Sequence, residues 1–200
     1  MAAIIAVIGN SSAGKTTLAN ALAELYGFQQ AVEEHNSRPF QSLMAAHMQE
    51  YACLNQIDYL LFRAEQQKRI SEGNRYGIID GGLDEDYYLF TKLFLSRGYL
   101  SNEEYQLCDR LYQHLKGTLP QITLSICVDT PVEKCVERYR VRNRTLEVAQ
   151  IDDLHKLDQL LKEWLDQAPP KPMIRLDGSL PLNELVAQAT FALKSYHLIP

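Results

Sequence analysis

Short unbroken apolar runs alternate with longer stretches of helical periodicity along this chain. Ile4–Ile8 is continuously apolar, the pattern of a parallel strand buried on both faces. A helical pattern runs from Leu18 to Tyr26 and stops at Gly27. Phe28–Glu33 reads as a second strand. A long helical region then extends to about Glu72, interrupted near Pro39, with Leu54, Ile57, Leu60 and Leu61 on one face. Gly73-Asn74 marks a turn before a third strand, Tyr76–Asp80. Beyond Gly81-Gly82, helices are predicted over Asp84–Ser96 and Asn102–Lys116, the second capped by Ser101 with Glu103 and Glu104 behind it. Ile122–Val128 is a fourth strand, and Thr130-Pro131 opens the next helix. Helix Ile151–Asp166 leads through the proline-rich Ala168–Pro172 to strand Met173–Leu176 and a closing helix. Five strands joined by helical crossovers predict one α/β domain over residues 1–200, a parallel sheet with helices on both faces. Ligands collect at the carboxyl ends of such strands.

Composition narrows the class. Two hundred residues with 46% hydrophobic and 22% charged positions form a core of ordinary globular size. A formal charge of −5 argues against a general nucleic-acid binder, which needs a net basic face. Cys53, Cys108, Cys127 and Cys135 show no metal-like pairing and read as reduced core thiols of a cytoplasmic protein. Met1–Ile8 enters the first strand without a charged signal region, and no apolar run approaches membrane-spanning length.

The chemistry begins at Gly9, Asn10, Ser11, Ser12, Ala13, Gly14, Lys15, Thr16 and Thr17, which spell G-x-x-x-x-G-K-[ST] between a strand and a helix. Backbone N–H groups in such a loop point inward at a polyphosphate, and the helix N-terminus adds partial positive charge. Lys15 reaches the outer phosphates, and the Thr16 hydroxyl suits Mg²⁺. A nucleoside triphosphate, ATP, is the expected ligand. Asp80 ends the third strand, where a carboxylate organises Mg²⁺ and its waters. Glu33 ends the second strand and faces the same crevice, where it could take a proton from an attacking hydroxyl. Arg138, Arg140, Arg142 and Arg144 occur at alternate positions, so one helix face cannot hold them all. They are expected to spread over a helix end and a loop, forming a lid about 138–148 that closes over the donor phosphates.

The lid also carries a resemblance. Thr130-Pro131, Cys135, Arg138, Arg142, Arg144 and Glu147 follow the spacing T/S-P-E-x-C-L-x-R-I-x-x-R-x-R-x-x-E of the deoxynucleoside kinase family. Trp164-Leu165 supplies the family's later W-L pair, and Gln49-Glu50-Tyr51-Ala52-Cys53-Leu54 its Q-x-Y-A-C-L segment. Asp80, Asp86 and Phe90 match its D/E-R-S-x-x-x-D-x-x-x-F region. The resemblance covers nearly the whole chain and implies a P-loop kinase fold with an Arg-rich lid. It implies that Gln49 and Asp86 read the edge of a nucleobase while Phe90 stacks on it, and that Glu147 contacts the sugar hydroxyl. Arg138 and Asp177 then lie beside the donor base, and Arg142 and Arg144 on the phosphates. Glu33 becomes the general base, with Glu34 as runner-up, and a homodimer packed through helices is implied.

Two departures stand out. Gly81 and Gly82 replace the family's Arg and Ser, removing a preorganised cation worth ~3 kcal/mol to the transition state. Arg38, Arg63 and Arg140 are the cations that could replace it. The family's sugar-binding Tyr has no clear counterpart, since Phe40 lacks a hydroxyl. The expected function is transfer of the γ-phosphoryl group of ATP to a (deoxy)nucleoside 5′-hydroxyl. A nucleoside-monophosphate or other small-molecule kinase, and an ATP-binding paralogue without turnover, are the alternatives.

Overall fold

The computed structural model of the chain describes residues 2–31, 38–142 and 149–200. Five parallel strands, β1 (Ile4–Gly9), β2 (Gln29–Ala31), β3 (Gly77–Asp80), β4 (Leu124–Asp129) and β5 (Met173–Asp177), lie side by side in the order β2-β3-β1-β4-β5. All six residues of β1 are buried, as its unbroken apolar run requires of a central strand. Successive side chains on a strand point to opposite faces, and β1 feeds two cores accordingly. Ile5 and Val7 pack beneath α1 (Lys15–Tyr26) with Leu18 and Leu22. Ala6 and Ile8 face the other core, which holds Leu60, Leu89, Phe94 and Trp164.

The helical region after β2 differs from its expected break. Pro39 begins α2 (Pro39–Ala46), because its missing N–H costs nothing in a first turn. The interruption falls instead at His47, ahead of α3 (Met48–Ser71). On α3 only part of the predicted apolar face is inside: Leu60 is buried, whereas Leu54 and Leu61 are 44% and 41% exposed. Beyond β3, the helix expected over Asp84–Ser96 is present with a changed pitch. It starts as α4 (Leu83–Glu85), widens to a π-helical stretch over Asp86–Thr91, and returns to α5 (Lys92–Ser96). Helix α6 (Asn102–Thr118) carries the expected cap: Glu104 N–H donates to Ser101 Oγ while Ser101 N–H donates to Glu104 Oε2. The remaining helices are α7 (Val132–Val141), α8 (Leu154–Gln167), entered through a 3₁₀ turn at Ile151–Asp153, and α9 (Leu182–Ser195).

All four cysteines are unpaired and buried, and burial pushes the Cys108 and Cys127 thiols up to about 12. No helix of the described residues is long and apolar enough to cross a membrane.

Candidate active site

The loop from Gly9 to Thr17 turns at the carboxyl end of the central strand. Gly9 adopts φ +152°, and a Cβ there would lie 2.7 Å from the Val128 carbonyl oxygen of β4. Only glycine lets the backbone pass so close to its neighbour. Gly14, at φ +105°, delivers the chain into the first turn of α1. Asn10 is buried and pins the loop from outside, donating to the Leu154 carbonyl at 3.0 Å and accepting from Ser11 N–H at 2.7 Å. Lys15 Nζ donates to the carbonyls of Gly9 and Asn10, each at 2.9 Å. Thr16 Oγ1 donates to Asp80 Oδ2, which brings together the two oxygen ligands expected for Mg²⁺.

A second carboxylate sits under this loop. Glu85, 4% exposed, accepts from Gly9 N–H at 2.8 Å through one oxygen and lies 3.2 Å from Lys15 Nζ through the other. Burial pushes its carboxyl up to about 7, against the opposing pull of Lys15 and the Gly9 N–H. Next to it Gly81 adopts φ +81°, and a Cβ there would meet Glu85 Oε1 at 3.1 Å and Arg63 Nη2 at 3.5 Å. Of the three candidate replacement cations, Arg63 occupies this place. It is buried on α3, donates to the Asp80 carbonyl at 3.0 Å and pairs with Asp86 Oδ2 at 2.5 Å. Arg38 is turned onto Asp58 and the face of Phe62, and Arg140 is exposed.

A cavity of about 600 Å³ runs from Ser11–Thr17 past Asp80 and Glu85 to a second end. That end is lined by Gln41, Asn55, Gln56, Tyr59, Asp86 and Phe90. The π-helical stretch presents Asp86 and Phe90 together, and Gln56 Nε2 donates to the Asp86 carbonyl at 3.2 Å. Tyr59 Oη donates to Gln41 Oε1 at 2.8 Å across the α2–α3 junction. At the opposite end Arg138, Arg142, Leu180 and Leu182 complete the wall. Arg138 donates to the Ala13 carbonyl at 2.7 Å and the Gly178 carbonyl at 2.9 Å, tying the phosphate loop to the loop after β5. Arg142 Nη1 donates to Ser12 Oγ at 3.4 Å.

The deoxynucleoside kinase family profile matches residues 5–191. The chain belongs to the deoxynucleoside kinase family. Members of that family are phosphotransferases acting on a nucleoside hydroxyl. The chain is 31% identical over 177 residues to a deoxyadenosine kinase of Dictyostelium discoideum, spanning 88% of this chain and 72% of that one. It is 27% identical over 147 residues to a deoxyadenosine/deoxycytidine kinase of Bacillus subtilis, spanning 72% and 68%. In three dimensions it resembles a deoxyadenosine kinase from M. mycoides solved with dCMP and dCDP, at TM-score 0.84 and 20% identity over 96% of this chain and 99% of that one.

Within this deoxynucleoside kinase, the expected residues divide into three groups. Ser11 through Thr17, Asp80, Asp86, Phe90, Arg138 and Arg142 line one cavity, with Gly9 and Asn10 shaping its loop. Gln49 and Asp177 do not join them. Gln49 is exposed in the first turn of α3, whereas Gln56, two turns further along the same stripe, lines the cavity. Asp177 ends β5 outside the cavity, where its carboxylate accepts from Ser179 N–H at 2.8 Å and lines a separate recess with Asp129 and Lys162. Glu33, Glu34, Arg144 and Glu147 lie outside the described residues. The sequence reading missed Glu85, Gln56, Asn55 and Tyr59. The polar stripe of α3 was the available signal, since Asn55, Gln56, Arg63, Gln66 and Gln67 interrupt a face that packs inside the protein.

Proposed function

We propose that this kinase transfers the γ-phosphoryl group of ATP to the 5′-hydroxyl of a deoxynucleoside seated between α3 and the π-helical stretch. One observation carries the reading: a single cavity joins the phosphate loop to an end lined by two aromatic rings, a carboxylate and three side-chain amides. Such a wall suits a flat, neutral, hydrogen-bonding acceptor. Gln56 and Asp86 hold the base, Phe90 stacks on it, and Tyr59 with Gln41 supplies polar groups near the sugar. Glu33 is the proposed general base, with Arg144 on the phosphates and Glu147 at the sugar hydroxyl.

The loop N–H groups, Lys15 and Arg142 cradle the donor phosphates, and Arg138 orients the donor end. Thr16 and Asp80 are the oxygen ligands suited to Mg²⁺, which when bound neutralises developing phosphate charge. Arg63 restores positive charge beside Gly81, from another element than the one the family uses. This supports turnover over a binding-only role. A nucleoside-monophosphate acceptor would call for positive charge at the acceptor end, and the side chains lining that end, Gln41, Asn55, Gln56, Tyr59, Asp86 and Phe90, supply none. We further propose a cytoplasmic homodimer, supported by the buried thiols and by Leu54 and Leu61 exposed on the outer side of α3.

The test is ATP consumption with Mg²⁺ across the deoxynucleosides, ribonucleosides and monophosphates, with the product analysed for a new 5′-phosphate. Turnover of deoxynucleosides is expected. Turnover of monophosphates alone would reject the reading.

A further inference from the structure

Asn55 is anomalous. It is 1% exposed, it lines the acceptor end of the cavity, and neither its Nδ2 nor its Oδ1 has a hydrogen-bond partner. Among the described residues no other side chain leaves a complete amide, donor and acceptor together, buried and unmatched. Buried polar groups are almost always paired, and an unmade bond inside a protein costs the full desolvation of the group. A leucine of similar volume would fill this position of α3 at lower cost. Folding alone therefore does not account for an amide here, and violations of this kind are expected where function demands them.

Its surroundings say what it faces. Asn55, Tyr59 and Arg63 are four residues apart on α3, so they form one ridge along the cavity wall. Arg63 marks the phosphoryl-transfer end through its bond to the Asp80 carbonyl. Asn55 lies two turns away, roughly 12 Å along the helix axis, at the end remote from the phosphate loop. Neighbouring polar groups already have partners there: Tyr59 bonds Gln41, Gln56 bonds the Asp86 carbonyl, and Asp86 pairs with Arg63. An amide presenting a donor beside an acceptor matches a base edge that presents an amino group beside a ring nitrogen, the pairing amides make with adenine.

We propose that Asn55 reads the far edge of the nucleobase and selects deoxynucleosides that carry an exocyclic amino group beside a ring nitrogen. The inference rests on the kinase reading above. It assigns Asn55 to specificity, so its removal changes which nucleoside is used without weakening the fold.

The experiment compares the wild-type chain with Asn55→Leu and Asn55→Asp. Each is assayed for kcat/KM on deoxyadenosine, deoxycytidine, thymidine and purine 2′-deoxyriboside, the analogue of deoxyadenosine without its amino group. Wild type should prefer deoxyadenosine to the analogue, and Asn55→Leu should shrink that preference by about tenfold or more. Asn55→Asp, which only accepts when ionised, should keep part of it. The KM for ATP should stay within about twofold and the Tm of Asn55→Leu should equal or exceed that of wild type, since it removes an unmatched amide. An unchanged ranking in Asn55→Leu would overturn the inference while leaving the kinase intact, as would a wild-type preference for thymidine. So would an equal loss on every nucleoside with a lowered Tm, the mark of a structural role. A wild type that turns over none of them would remove the kinase reading itself, and the inference with it.

Discussion

Glu85 shows how one buried side chain sets a pH dependence. Its carboxyl ordinarily titrates near 4.5 and here is pushed up to about 7 by burial, against the pull of Lys15 and the Gly9 N–H and with a smaller push from Asp80 and Asp86. The folded state therefore holds a proton that the unfolded chain releases, and stability falls as pH rises from 4.5 through 7. The shift corresponds to about 3 kcal/mol, fully lost above pH 8. Glu85→Gln keeps an acceptor for the Gly9 N–H without a charge to desolvate. The expected result is that the variant gains stability over wild type as pH is raised from 5 to 8, read by denaturant unfolding. A pH-independent difference would show that Glu85 does not titrate in this window. Arg63 makes a complementary prediction. Arg63→Lys retains the charge but cannot span Asp86, the Asp80 carbonyl and Gln66 with one ammonium group. If Arg63 replaces the cation missing at Gly81, kcat should fall by about tenfold or more in Arg63→Lys while the fold persists. An unchanged kcat would reduce Arg63 to a partner of Asp86. Glu85 was not legible in the sequence, and Arg63 was legible only as one of three candidate cations. Glu85 is one acid among several after Gly81, and its burial depends on the return of the chain beneath the phosphate loop. Gln49 was misplaced for a related reason. At 3.6 residues per turn, seven positions bring a helix back to almost the same face, so Gln49, Gln56 and Arg63 share a stripe. Pattern alone gives the stripe, and only the depth of the cavity along α3 picks the residue.

Elements that run on local chemistry were legible throughout. The apolar run of β1, the Gly27 stop of α1 and the Ser101 capping box of α6 follow from residues within a few positions of one another. The phosphate loop belongs with them, since Gly9 is dictated by close backbone approach and Gly14 by its left-handed φ. Gly9→Ala should therefore abolish nucleotide binding and lower Tm, because its Cβ would collide with the Val128 carbonyl of β4. Wild-type affinity in that variant, measured by titration calorimetry with ATP, would contradict the close approach. The π-helical stretch was not legible. Its residues suit an ordinary α-helix, and Tyr87 within it stacks on Tyr112 of α6 with ring centroids 3.9 Å apart. Asp86 and Phe90 within it line one cavity wall, and such stretches recur at functional sites. The arginine segment was half legible. Alternate spacing across a helix end implied divergence, and Arg138 and Arg142 turn to the phosphate loop while Arg140 faces outward. Arg142→Ala should lower kcat by about tenfold or more with Tm unchanged. A rate equal to wild type would return Arg142 to a surface role.

At the scale of the molecule, strand order explains why chemistry from distant parts of the chain meets. From β1 the chain first builds β2 and β3 on one side, then crosses to β4 and β5 on the other. The crevice at this change of direction opens above the carboxyl ends of the strands, where the phosphate loop, Asp80 and the α7 arginines converge. The alternation of runs and helices was enough to predict five parallel strands. It was not enough to tell which helix faces are inside, and the outer side of α3 decides the last prediction. Leu54 and Leu61 are seven residues apart, share one stripe and are 44% and 41% exposed, and Leu107 on the neighbouring α6 is 47% exposed. Residues Asn55 and Gln56 on the same helix line the acceptor end of the cavity. A second copy packed on this stripe would bury the leucines and hold α3 in place behind the nucleoside. The chain should therefore elute at twice its own mass in size-exclusion chromatography with light scattering. Leu54→Glu with Leu61→Glu should yield a folded monomer whose KM for the nucleoside rises more than its KM for ATP, because the change acts on α3 and leaves the phosphate loop alone. A wild-type monomer at assay concentration would show that these leucines face solvent in the working enzyme. A double variant that remains dimeric would place the interface on another face.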